Sequence, residues 1–149
     1  MRFPYTDVGS GIFRPLVPAL IKGPAGFHWT DGLADSAADR TIIRLKLALR
    51  LGIDPDVLTP TVIVETASGN RVPCKLSQVI IELRRDFRRI TWLAEVAVAT
   101  LPTVVDCHWG FKGFLEYFRA RFDGPGRFVT LTATATLPKT KLPRRPRAG

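Results

Sequence analysis

Leu33-Ala34-Asp35-Ser36-Ala37-Ala38-Asp39-Arg40-Thr41-Ile42-Ile43 sets a carboxylate at the end of an apolar run, then a hydroxyl and two small residues, then a β-branched run. A carboxylate in that place is partly desolvated, with backbone N–H groups and a hydroxyl close enough to orient it. It becomes useful for activating water when a second carboxylate faces it, because two close carboxylates share a proton and divide the roles of acid and base. Spacing alone favours the simpler reading, an Asx-type turn closing a strand. Upstream, residues 15–22 form an apolar run closed by Gly23-Pro24-Ala25-Gly26, and residues 27–34 resume it, which predicts a hairpin feeding the segment. Downstream, Leu45, Leu47, Ala48, Leu49 and Leu51 precede Gly52 and predict a short helix with a glycine C-cap.

The same period-two pattern continues outward. Residues 61–65 and 71–76 flank Thr66-Ala67-Ser68-Gly69-Asn70, a hairpin with a glycine-bearing tip. Residues 79–83 and 92–99 pair around Arg84-Arg85-Asp86-Phe87-Arg88-Arg89, an exposed turn. Residues 113–118 fit one or two helical turns, and residues 119–123 and 127–135 enclose Gly124-Pro125-Gly126. Some eight short strands with one or two small helices predict an all-β domain.

The 149 residues suffice for one ordinary domain, and 46% hydrophobic with 23% charged residues excludes wholesale disorder. Two cysteines, Cys74 and Cys107, are too few for a disulfide scaffold or a four-cysteine zinc site. No signal-like N-terminus or bilayer-length apolar stretch is evident, so the expectation is a soluble cytoplasmic protein without a membrane partner. Of the +9 net charge, five positive charges fall in residues 139–149, leaving +4 for the rest. That Pro/Arg-rich tail reads either as a solvated terminus or as an electrostatic arm for nucleic acid.

The quoted segment resembles the Asp-Thr/Ser-Gly-Ala-Asp active-site segment of retropepsin-like aspartic proteases, especially bacterial members. His108-Trp109-Gly110-Phe111-Lys112-Gly113-Phe114-Leu115 resembles the family's second signature, two apolar residues and a glycine leading into a C-terminal helix. The resemblance runs over residues 14–131. It implies an acid-protease closed β-barrel with a flap hairpin, an arm at residues 1–13, the protease domain at 14–137 and the basic tail at 138–149. It implies Asp35 as the catalytic aspartate, Ser36 as the hydroxyl bracing two active-site loops across a dimer, and Asp39 as a contact to substrate backbone. Ala37 and Ala38 would flank the reacting groups, Gly110 would pack beneath the catalytic loop, and Ser68, Gly69 and Asn70 would close over a peptide. Ala37 stands where the family has glycine: it keeps the N–H but adds a methyl, strained if φ must be positive and otherwise crowding the cleft.

The chain holds one Asp-Ser and no Asp-Thr at the end of an apolar strand, half of a two-aspartate site. An active form is therefore expected to be a symmetric homodimer hydrolysing peptide bonds, without metal or other cofactor. The alternatives are an inactive dimerisation or peptide-binding module of the same fold, favoured by Ala37, and a basic β-domain binding nucleic acid through its tail. Asp106-Cys107-His108 groups three possible metal ligands, but neighbouring side chains of a strand alternate faces and cannot converge. Cys74 reads as a small buried hydrophobe and His28 as a core-edge residue.

Overall fold

Alternating apolar and polar residues supply most of the elements. The computed structural model describes residues 1–58, 60–66, 68–99 and 105–138. Its strands are β1 (Arg2–Pro4), β2 (Thr6–Asp7), β3 (Phe13–Arg14), β4 (Leu16–Gly23), β5 (Gly26–Ala34) and β6 (Ile42–Arg44), followed by helix α1 (Leu45–Arg50). Then come β7 (Thr61–Glu65), β8 (Arg71–Arg85), β9 (Arg88–Ala99), β10 (Cys107–Trp109), β11 (Phe118–Asp123) and β12 (Phe128–Ala133), with 3-10 turns at Pro55–Val57 and Leu115–Tyr117.

The large sheet runs β4-β5-β10-β6-β9-β8-β7, and β8 also pairs with β4 through Leu20↔Glu82 and Ile21↔Ile81. That pairing closes six strands into a barrel, with β7 added outside as half of the flap hairpin. The expected all-β closed barrel is therefore the fold. Each of the six barrel strands is thereby paired on both sides over part of its length. A separate three-stranded sheet, β1-β12-β11, packs Phe3, Phe118, Val129 and Leu131 into the main core. Residues 1–13 contain β1, whose Phe3 is buried in the main core. The tail at residues 139–149 lies outside the described residues.

Three expectations are corrected. Residues 71–76 and 79–83 are one strand, not two. The inward phase changes at Ser77-Gln78, which reads as a break. Yet β8 pairs with β9 in one unbroken register from Lys75↔Val98 to Arg85↔Arg88. Its two phases serve opposite faces. Val79, Ile81 and Leu83 enter the barrel core with Trp92, Val96 and Val98, whereas Cys74 joins Ala97, Ala99, Val62, Val64 and Leu76 in a smaller core below the flap.

The second correction concerns the C-terminal helix implied by the resemblance. It is a single 3-10 turn, Leu115–Tyr117. Gly113 has φ +89°, and Phe118 already opens β11, so no room remains for a longer helix. The arginine cluster is likewise mostly strand, with only Asp86-Phe87 at the turn. Helix α1 ends as expected, with Gly52 at φ +77° just past it.

Aromatic packing stiffens the region under the site. Trp109 stacks on Phe114 at 4.8 Å between ring centroids, and Trp92 meets Phe114 and Phe118 edge-on at 5.3 Å. The Trp109 indole N–H donates to the Val17 carbonyl at 2.8 Å, and that of Trp92 to the Gly113 carbonyl at 2.9 Å. Neither buried indole is left unpaired.

Candidate active site

β5 and β10 lie parallel, with Leu33 opposite His108 and Ala34 opposite Trp109. Asp35 is the first residue past β5, and Gly110 the first past β10. The Asp35 N–H donates to the Trp109 carbonyl at 3.1 Å, so the ladder extends one bond beyond the strand and fixes where the aspartate begins. The chain then turns. The Ala38 N–H reaches back to the Asp35 carbonyl, and the Ala37 N–H donates to Asp35 Oδ1 at 3.0 Å. This is an Asx-type turn, and it is also what holds the carboxyl in place. The two readings of Asp35-Ser36 are compatible.

Ala37 makes this contact with its backbone outside the left-handed region, so its methyl carries no conformational strain. The methyl lines the cleft. Gly110 is required for space. A Cβ there would lie 2.1 Å from the Arg40 carbonyl oxygen and 2.8 Å from that of Ala38. The Asp35–Arg40 loop thus rests directly on Gly110. It is tied down again by Phe111 N–H to the Ala38 carbonyl at 2.8 Å and Lys112 N–H to the Asp39 carbonyl at 3.0 Å. The Arg40 guanidinium pairs with Glu95 at 2.7 Å.

Above the loop is a cleft of about 700 Å³. Asp35, Ala37, Ala38 and Asp39 form part of its wall, and Ile63, Val64, Glu65, Thr66, Ser68 and Asn70 of the β7–β8 hairpin roof it. The hairpin tip is closed by Thr66 N–H to the Asn70 carbonyl and Gly69 N–H to the Thr66 carbonyl, both at 2.8 Å, with Gly69 at φ +80°. Ser68 Oγ lies 2.9 Å from Thr66 Oγ1 and 3.2 Å from the Asn70 amide nitrogen. Ser36 is exposed on the loop. The structure therefore gathers Asp35, Ala37, Ala38, Asp39, Ser68 and Asn70 around one cavity, with Gly110 beneath the loop that carries them.

A further residue in the cleft is His108, which in the sequence opens the second signature and groups with two other possible metal ligands. His108 Nδ1 lies 3.2 Å from Asp35 Oδ2, and both side chains are about one-quarter exposed, 24% and 28%. The signal was its place two residues before Gly110, on the strand that runs alongside the aspartate. Its neighbours diverge as strand alternation requires. Cys107 is buried, and Asp106 pairs with Arg44 at 3.2 Å. Among the described residues no three His, Cys, Asp or Glu side chains are grouped to hold a metal ion. Cys74 forms part of the cleft wall, where burial pushes its thiol up from the usual range. His28 is half-buried on β5.

Comparison with known proteins bears on the fold and the family. The solved structure of a retropepsin-like aspartic protease from Rickettsia conorii superposes with a TM-score of 0.59 over 87% of this chain and 97% of its own, at 17% identity. No curated protein matches the sequence. The sequence model of a family described as aspartyl protease matches residues 17–92, just over half of the chain. That match carries β4, β5, the Asp35 loop and the flap; β10 and Gly110 complete the site from outside it. The chain belongs to the aspartyl protease family, in a barrel of retropepsin type.

Proposed function

We propose that the protein is an aspartic endopeptidase, active as a homodimer that brings two Asp35 carboxyls together across a two-fold axis. The observation carrying this reading is the held carboxyl of Asp35, seated past the parallel β5/β10 pair and facing a cleft roofed by a hairpin. Each chain contributes one such aspartate, and symmetry supplies the second. Ser36 is exposed on the same loop, available to brace the partner's loop. Phe111, tied by its N–H to Ala38, is 57% exposed beside it, an apolar surface suited to burial between two copies.

In the reaction a water between the two carboxyls adds to the peptide carbonyl carbon. One carboxylate takes the water proton, while the other carboxyl gives its proton to the carbonyl oxygen, leaving a tetrahedral diol. Proton transfer to the amide nitrogen then releases the amine as the C–N bond breaks, with no covalent intermediate on the enzyme. Asp39 and the flap residues Ser68 and Asn70 would hold the peptide backbone across the cleft.

The test is cleavage of a diverse peptide pool from about pH 4 to about pH 7, with Asp35→Asn alongside. Cleavage by the native protein alone is expected, from a species of twice the 16.5 kDa chain mass in sedimentation. Cleavage that survives Asp35→Asn, or a strictly monomeric active species, would overturn the reading. A folded dimer cleaving nothing would favour a peptide-binding module.

A further inference from the structure

Both oxygens of Asp35 are engaged within its own chain, Oδ1 by the Ala37 N–H at 3.0 Å and Oδ2 by the His108 ring at 3.2 Å. The first contact is backbone and belongs to the turn. The second is a rotatable side chain on the oxygen that a water-activating aspartate needs open. We propose that His108 is a positioning residue that latches the catalytic carboxyl at rest, leaving Oδ2 when a peptide enters the cleft. The kinetic consequence rests on the endopeptidase reading above; the contact itself does not.

The fold permits the ring to move and little else. The His108 backbone is clamped between Leu33 of β5 and Ile42 of β6. The next residue, Trp109, is pinned by its bond to Val17 and its stack on Phe114. Strand β10 therefore cannot slide, and the imidazole leaves Oδ2 only by changing rotamer. It has somewhere to go: the cleft it borders is about 700 Å³. The other charged groups on the cleft wall are Asp39, Glu65 and Arg40, and Arg40 is engaged by Glu95.

A contact this exposed is worth little, a few-fold in an equilibrium. That suits a latch, strong enough to bias the empty site yet weak enough for a peptide to displace. Displacement is drawn from binding, so its signature falls on KM rather than kcat.

The experiment compares peptide cleavage by the native protein, His108→Leu and His108→Asn. Leucine leaves Oδ2 open, whereas the asparagine amide can occupy the place of Nδ1. His108→Leu is expected to lower KM about fivefold with kcat within about twofold, and His108→Asn to stay near native. A kcat loss of about tenfold in His108→Leu would make the ring a participant in the chemistry and overturn the latch, as would an unchanged KM. A second readout needs no activity. In NMR spectra of the ring nitrogens, Asp35→Asn is expected to move the His108 signals and leave those of His28 in place. His108 signals unmoved by that change would overturn the contact whether or not any peptide is cleaved.

Discussion

Gly110→Ala adds one methyl under the Asp35–Arg40 loop, and the structure fixes what that methyl meets. Its Cβ would lie 2.1 Å from the Arg40 carbonyl oxygen, 2.4 Å from the Arg40 carbonyl carbon and 2.8 Å from the Ala38 carbonyl oxygen. All three are backbone atoms, so no side chain can rotate away. The loop itself must lift by roughly 1 Å to restore ordinary contact. Lifting strains the Phe111 N–H bond to the Ala38 carbonyl and the Lys112 N–H bond to the Asp39 carbonyl. Overpacking costs about 1–3 kcal/mol, and a backbone clash on two strained hydrogen bonds belongs at the upper end, about 3 kcal/mol. For a domain of this size that lowers Tm by about 10 °C. The matched control is Gly124→Ala, where a Cβ meets nothing within 4 Å and φ is not positive. It should stay within about 0.5 kcal/mol of native. Urea and thermal melts of the three proteins measure the difference. Peptide cleavage should fall further in Gly110→Ala than its unfolded fraction explains, because the displaced loop carries Asp35. A Gly110→Ala midpoint equal to that of Gly124→Ala would refute the argument that close approach requires glycine here.

Glu82 is 2% exposed; burial alone would raise its carboxyl, but hydrogen bonds and charges from Lys22 and Arg84 outweigh burial and hold it below the usual range. A carboxyl lowered on folding contributes stability that is present above its unfolded value, about pH 4.3, and lost as pH falls through the lower folded value. Glu82→Gln should therefore cost about 2 kcal/mol at pH 7, discounted for the exposure of its two cations, and should flatten the acid side of the stability curve. Urea midpoints for the two proteins that coincide both at neutrality and below about pH 4 would exclude this. Cys74 and Cys107 are free and buried, and burial pushes both thiols up, that of Cys107 far up despite a hydrogen bond with Thr30. A thiol reagent should label native protein only at the rate of opening and both sites at once in denaturant; labelling of folded protein at a free-thiol rate would contradict it.

Local pattern carries far in this chain because its strands are half-buried and alternate. The hairpin turns at Gly23-Pro24-Ala25-Gly26, at the flap tip and at Gly124-Pro125-Gly126 are written in residues that bend readily, and each falls between paired strands. Asp35 was legible for a related reason: an acid after an apolar run, followed by small residues, marks where a strand stops and its carboxyl is held by the turn. The short strands β1, β2, β3 and β10 were not legible, since two or three residues hold too little pattern to register. The continuity of β8 was hidden by its change of inward phase.

What the sequence by itself determined is the local grammar: strands, turns, the helix before Gly52, and a single candidate aspartate at the end of an apolar strand. What only the tertiary structure decided is which distant residues meet that aspartate. Gly110 lies 75 positions beyond Asp35 in the chain, yet is the floor of its loop. His108, close to Gly110 in sequence, sits against Oδ2 of the aspartate. The physical reason is the parallel pairing of β5 with β10. Strand alternation says which residues share a face, but a parallel partner can come from anywhere in the chain, and only closure of the barrel sets the register that brings them together.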